Sequence, residues 1–314
     1  MIVVAGEALI DLVAEGDDGY RAVPGGSPAN VAVTLSRLRQ AVRMLVRLGD
    51  DAFGQQLRTH LRSNGVGLEW AVDATEPASL AVATLDDEGR AAYDFYFAGT
   101  AACRWSESEL PASLAPAVAL HTGSLAMALT PGAEVLEALV TRERSRGQLT
   151  VSMDLNLRPS LMPDRRRERE RVERQIRLAH IVKASDDELG WLYPDVPVEE
   201  VVASWRAAGV SCCVVTLGAK GSYLRAPDGG AYRQAGRPVP VVDTVGAGDA
   251  FTGAMLAALA TIGGLGEGPA ARLAAVSPDQ WRAVLEIADT VAAITCTRRG
   301  ANPPTFDEVE YATS

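Results

Sequence analysis

Short apolar runs recur along this chain at the spacing of strands alternating with helices. Ile2–Ala5 is unbroken apolar sequence ending at Gly6, the pattern of a strand buried on both faces. Residues 7–13 continue extended but set Glu7 and Asp11 among apolar neighbours, so each acid is either exposed at a strand end or bound to something. Ser27-Pro28 reads as a helix start, with Ser27 as N-cap and Pro28 at the first helical position; Val31, Leu35 and Leu38 then share a face. A strand over 42–48 leads to an amphipathic helix ending near Asn64-Gly65. Residues 79–85 and 90–97 alternate around Asp86-Asp87-Glu88-Gly89, a hairpin with a four-residue turn. Its apolar residues fall on both faces, so it is expected to pack against the strands of residues 9–24 and against a second subunit.

Beyond residue 118 the alternation becomes regular. Apolar runs at 118–124, 149–155, 180–184 and 212–217 are separated by helical patterns, one of them over 132–145. That order predicts βαβ units and a parallel sheet, with ligands at the C-terminal strand ends. The Arg/Glu-rich stretch 165–177 carries i,i+4 pairs (Arg166 with Glu170, Glu170 with Arg174, Glu173 with Arg177), which mark a solvated helix face. Residues 263–278 read as an irregular loop, and 279–297 as the final helix.

Composition narrows the function classes. With 314 residues, 47% of them hydrophobic, the chain can bury a large core. A net charge of −10 disfavours nucleic acid and anionic membrane as partners. No apolar run is long enough to span a bilayer, and the first residues lack a basic segment and cleavage site. Four cysteines, two of them the adjacent Cys212 and Cys213, form neither a disulfide framework nor a metal spacing. The expectation is a soluble, cytoplasmic protein.

The richest chemistry lies in Val241-Val242-Asp243-Thr244-Val245-Gly246-Ala247-Gly248-Asp249-Ala250-Phe251. A short β-branched run at 238–242 turns through two glycines into an apolar helix over 250–260. Free N–H groups and the helix dipole converge there on an anion, and glycines admit a phosphate to the backbone. Asp249 would repel that anion. It makes sense as a base for a hydroxyl that attacks the phosphoryl group, or more plainly as a helix cap.

This run resembles the signature of the ribokinase-like, phosphofructokinase-B-type carbohydrate kinases. Gly25-Gly26 followed by Asn30, Asp154-x-Asn156-x-Arg158, and Thr216-x-Gly218-x-x-Gly221 are similar to further segments of that family, so the likeness runs from Gly6 to Asn302. It implies one domain over 1–314, a three-layer α/β/α fold with a mainly parallel central sheet and a small β-sheet lid from about 9–24 and 79–100. It implies ATP and Mg²⁺, transfer of the γ-phosphoryl group to a sugar hydroxyl, Asp249 as general base, and Gly246, Ala247 and Gly248 as anion hole. Asp11, Gly25, Gly26, Asn30, Phe97 and Arg158 would bind the sugar. Lys183, Glu188, Thr216, Gly218, Gly221, Gly248 and Asp289 would meet the nucleotide, with Glu188 reaching Mg²⁺ through water. Ser185 and Asp289 stand where many relatives carry asparagine. Asp243, Val245, Thr295, Arg298 and Gly300 would surround a monovalent cation, potassium.

Residues 120–125, Phe95-Tyr96 and 297–301 look most like fructokinases, which implies fructose as acceptor and fructose 6-phosphate as product. The alternatives are a 2-keto-3-deoxygluconate kinase, in which Arg158 meets a carboxylate, and another sugar or nucleoside kinase. A binding protein that has lost activity is a reading from another class, which an intact Asp249 opposes. A dinucleotide-binding dehydrogenase ranks last, because no G-x-G-x-x-G follows the first strand.

Overall fold

The structure is a computed structural model that describes residues 1–15, 19–85 and 91–313. Its central sheet runs in the order Ala231–Ala235, Gly221–Arg225, Cys212–Thr216, Ile181–Ser185, Thr150–Asp154, Ala119–Gly123, Ile2–Ala5, Val42–Leu45. The last six strands are parallel, and the first two extend the sheet as an antiparallel pair. Successive residues serve opposite layers: Ile2, Val4, Cys212 and Val214 join one core cluster, and Val3, Ala5, Cys213 and Val215 the other. Burial on both faces explains the unbroken apolar runs. One layer holds the helices Ser27–Arg37, Ala247–Thr261 and Pro278–Cys296; the other holds Gly132–Arg146, Arg165–Gln175, Asp186–Leu192 and Val198–Ala207.

The strand order reverses at one point. From Ile2–Ala5 the chain builds Val42–Leu45 on one side, then returns to add Ala119–Gly123 on the other. Connections diverge above the C-terminal ends of these strands, and such a divergence opens a crevice for a ligand. A separate sheet, ordered Gly19–Gly25, Leu9–Glu15, Ser79–Leu85, Ala91–Tyr96, is built from the segments expected to form a lid. Leu9–Glu15 and Ser79–Leu85 pair in parallel, so the hairpin docks on the N-terminal strands as expected. Its turn at 86–89 lies outside the described residues. Leu12, Ala22 and Leu80 pack on the main core, while Leu9, Ala81 and Phe97 form a small cluster with Ala102, Cys103 and Leu125.

Several local expectations fail for physical reasons. The 42–48 strand is two, Val42–Leu45 and Arg47–Gly49, and the second pairs with Val72–Ala74 instead of the main sheet. Arg47 there is buried and bound to Glu76, Glu109 and the Ala101 carbonyl. Residues 238–242 form no strand: Pro238 and Pro240 lack N–H donors, and the Val242 and Asp243 N–H groups donate to the Cys296 carbonyl. The helix that follows begins at Ala247, not Ala250. The 263–278 stretch contains a helix, Pro269–Ala274, seated by buried Leu265, Leu273 and Val276. Pro278–Cys296 is not the final helix, because Phe306–Thr313 follows it. On the charged helix Arg166 pairs with Glu170 as expected, but Arg174 reaches Glu137 on a neighbouring helix and Arg177 donates to the Glu173 carbonyl. None of the described helices is long and apolar enough to cross a membrane.

The Ser27–Arg37 and Ala247–Thr261 helices cross closely because Gly253 has no side chain. A Cβ there would lie 2.6 Å from Thr34 Cβ and 3.2 Å from the Val31 carbonyl oxygen. Gly253→Ala is expected to destabilise the fold by about 1–3 kcal/mol, the cost of overpacking a tight contact. Denaturant unfolding checks this, and an unchanged midpoint would contradict the close crossing.

Candidate active site

Asp249 lies in the first turn of the Ala247–Thr261 helix, 7% exposed. It is not the cap, because Gly246 occupies that position with a left-handed φ of 77° and no side chain caps the helix. Its carboxylate instead accepts from Ser27 Oγ at 2.6 Å and Asn30 Nδ2 at 2.8 Å, with Asn156 Nδ2 at 3.4 Å. Ser27 is therefore not an N-cap either; Gly26 stands there and the Ser27 hydroxyl is spent on Asp249. Burial pushes the Asp249 carboxyl above its ordinary value, against the lowering effect of the Ser27 and Asn30 donors.

Positive charge gathers beside that carboxylate. Lys183, on the Ile181–Ser185 strand, donates from Nζ to Asp154 Oδ2 at 2.9 Å, and Thr252 Oγ1 donates to the same oxygen at 3.0 Å. Burial works to discharge Lys183, but Asp154, Glu188 and Asp249 together raise it above its ordinary value, so it stays an ammonium. A Cβ on Gly248 would lie 2.9 Å from Lys183 Nζ. The ammonium thus sits against the positive end of a helix, an arrangement that favours an anion between them. The Ala247 N–H is already given to the Thr244 carbonyl at 3.2 Å, which removes it from the expected anion hole. Gly246, Gly248 and Asp249 show no N–H bond to an acceptor among the described residues.

Two cavities meet here. The larger, about 950 Å³, is lined by every residue expected to meet a nucleotide: Lys183, Glu188, Thr216, Gly218, Gly221, Gly248 and Asp289. The smaller, about 410 Å³, opens at the switch point and takes Asp11, Gly26, Asn30, Arg158, Gly246, Gly248 and Asp249 into its wall. Asn156, Arg158, Lys183, Thr244 and Gly248 line both. Both volumes fall in the range of small-molecule sites.

Two residues expected to bind the sugar lie off the smaller cavity's wall. Gly25 is absent from the smaller cavity's wall, and its role is to leave room, since a Cβ there would strike Asp11 Oδ2 at 2.1 Å. Phe97 is buried in the small cluster, and Phe95 lines the cavity instead. Asp11, Ala81 and Phe95 are register partners across three strands and so share one face. Residues given no site role from sequence also enter: Asn156 lay within the Asp-x-Asn-x-Arg segment, as did Asp154, which holds Lys183; Ser124 lay in the 120–125 segment likened to fructokinases; and Glu7 stood out only as an acid among apolar neighbours. Ser124 and Asn156 hold left-handed φ values of 56° and 40° in the cavity wall, the kind of strain that collects at functional sites.

Glu188 closes the expected capping box with Ser185, and it also accepts the Leu157 N–H. With both oxygens engaged, it fits a hydrated Mg²⁺ better than direct ligation. Burial first, then Asp154, raises its pKa. Asp289 accepts from Ser222 Oγ, and burial pushes its carboxyl to about 6. Asp243 accepts the N–H groups of Val245 and Gly300 at 3.0 and 2.8 Å, joining three of the residues expected around a monovalent cation. The Thr295 carbonyl accepts the Arg298 N–H, and the Arg298 guanidinium turns away to Glu308.

Burial pushes Asp11 to about 6 from an ordinary 3.8, against the pull of Arg158 and with a contribution from Asp249. A raised folded-state pKa means that ionising Asp11 costs stability. The cost is complete above pH 6 and vanishes below 3.8. Asp11→Asn is therefore expected to raise the Tm at pH 8, with the gain shrinking as pH falls through that window. A pH-independent change in Tm would contradict this.

Residues 1–307 match the pfkB family carbohydrate kinase model. A fructokinase from Klebsiella pneumoniae is 32% identical over 95% of this chain and 94% of its own. The fructokinase of Xylella fastidiosa, solved with bound ATP, superposes with a TM-score of 0.90 at 30% identity, covering 99% of this chain and 97% of that one. A fructokinase double mutant from Vibrio cholerae O395, in fructose-, ADP- and potassium-bound form, gives 0.81 at 28% identity over 96% and 93%. A parallel sheet with its crevice at the switch point, two joined cavities and these likenesses lead to one statement: the chain belongs to the pfkB family of carbohydrate kinases.

Proposed function

We propose that this kinase transfers the γ-phosphoryl group of ATP to fructose, giving fructose 6-phosphate, with Asp249 as general base. The observation that carries this reading is the meeting of the two cavities at Gly248 and Lys183, with Asp249 on the wall of the smaller alone. A sugar in the smaller cavity and a triphosphate in the larger would touch only at that junction. Asp11, Gly26 and Asn30 orient the sugar, and Asp249 takes the proton of the attacking hydroxyl. A carboxyl raised by burial suits that task, since a base works best with its pKa near the working pH. The N–H groups of Gly246, Gly248 and Asp249 and the Lys183 ammonium then stabilise the charge on the transferring group. Magnesium on the phosphates would neutralise charge there, held by Glu188 through water. The small sheet acts as a lid that excludes water from the acceptor site. The residues around Asp243 and Gly300 would hold potassium, which would stiffen the turn that leads into Gly246.

Arg158 favours a second reading. Arg158 lines the smaller cavity, and a guanidinium there, held by Asn156 and the Leu157 carbonyl, would pair with an acceptor's carboxylate, as in a keto-acid sugar.

Asp249→Asn is expected to lower turnover by roughly 10²–10⁴, the usual contribution of a positioned base, while the protein still folds and binds ATP. Near-parental turnover in a folded variant, by coupled ADP release, would contradict the proposal. If fructose is the acceptor, Arg158→Ala should reduce fructose turnover less than Asp11→Ala. Turnover of 2-keto-3-deoxygluconate above that of fructose, abolished by Arg158→Ala, would establish the second reading instead.

A further inference from the structure

Glu7 follows the first strand at the switch point and is 1% exposed. The Ala126 N–H donates to its Oε2 at 3.0 Å, while Oε1 is buried with no hydrogen-bond partner among the described residues. Glu7 also lines the smaller cavity, beside Ser124, Leu125 and Asp11. Nothing in the catalytic scheme uses it, yet an unsatisfied carboxyl oxygen inside a protein is costly and calls for a partner.

We propose that Glu7 is a specificity-determining residue of the acceptor pocket: Oε2 anchors the turn that begins at Ser124, and Oε1 forms a hydrogen bond to a polar atom of the bound acceptor. This rests on the reading of the smaller cavity as the sugar site. Three observations support it. Among the described residues, the Ser124 hydroxyl, the Arg158 guanidinium and the Cys103 thiol lie near enough to influence the carboxyl, and none closes a hydrogen bond to Oε1. The anchored turn carries Ser124 in its left-handed conformation, so the carboxyl holds a strained segment of the pocket wall. Burial raises the Glu7 pKa over the lowering effects of Ser124, its own backbone, Ala126 and Arg158, which favours the neutral acid. Protonated, the carboxyl donates from Oε1 while accepting at Oε2; ionised, it accepts at both. In either form an acceptor lacking the matching oxygen would leave Oε1 unpaired and be rejected.

The test is kcat/KM for the acceptor and its monodeoxy analogues, in the parent and in Glu7→Ala. In the parent, loss of one particular oxygen should cost roughly tenfold, the effect of leaving a buried polar group unpaired. In Glu7→Ala the same deletion should cost less than about twofold, with KM for ATP unchanged. Equal penalties in both proteins for every analogue would overturn the proposal and leave Glu7 as a brace for the turn, with water on Oε1. If Glu7→Ala does not fold, Glu7→Gln carries the test. It puts an amide nitrogen that cannot ionise in place of Oε1 and keeps the bond from Ala126, so the penalty for the matching oxygen alone should differ from the parent's. Penalties equal to the parent's for every analogue would overturn the proposal. If the parent does not phosphorylate fructose, the fructose reading fails by itself, and the comparison is made with the acceptor that the parent uses.

Discussion

A carboxylate in the first turn of a helix and away from water is tolerated only if donors converge on it. At Asp249 the two closest donors come from the other end of the chain. Ser27 lies 222 residues away in sequence, yet its hydroxyl is 2.6 Å from the carboxylate. The contact requires two helices to cross closely, which Gly253 permits, and it requires the Ser27–Arg37 helix to start without using Ser27 as its cap. Gly26 meets that second demand: it takes a φ of 99°, and a Cβ there would lie 2.9 Å from the Glu7 carbonyl oxygen. The glycines of the first helix entry thus serve the geometry of the last motif.

The remaining parts follow from where charge must go. Asp249 and the helix N-terminus attract opposite partners, and they are kept on different walls: the carboxylate toward the smaller cavity, Lys183 and Gly248 at the junction. Asp154, itself held by Thr252, fixes Lys183, so its ammonium meets the helix end without a flexible search. Preorganised charge of this kind is worth more than the same groups in water, because no reorganisation is needed when the phosphoryl group arrives.

Much of this was legible in the residues. The unbroken apolar runs announced a sheet buried on both faces, and the Gly-x-Gly-Asp turn marked the junction. Signals whose meaning depends on a distant partner were misread. Ser27-Pro28 has the local form of a capped helix start, and only Asp249 in space diverts the hydroxyl. Phe95 and Phe97 share a strand parity, so alternation cannot say which one faces the cavity. Val241 and Val242 look like strand residues, but the flanking prolines and the Cys296 carbonyl leave them exposed. Glu7 stood out only as an acid among apolar neighbours; its place at the topological switch is a property of strand order, which the sequence near it does not carry.

Catalysis as proposed requires one hydroxyl of the acceptor to meet Asp249 while the γ-phosphate lies at Gly248 and Lys183. A crystal structure of the unmodified kinase with fructose and a non-hydrolysable ATP analogue measures this directly. An acceptor hydroxyl is expected within about 3 Å of an Asp249 carboxylate oxygen, in line with the terminal phosphate. A closed ternary complex in which no hydroxyl lies within hydrogen-bond reach of Asp249 would contradict it.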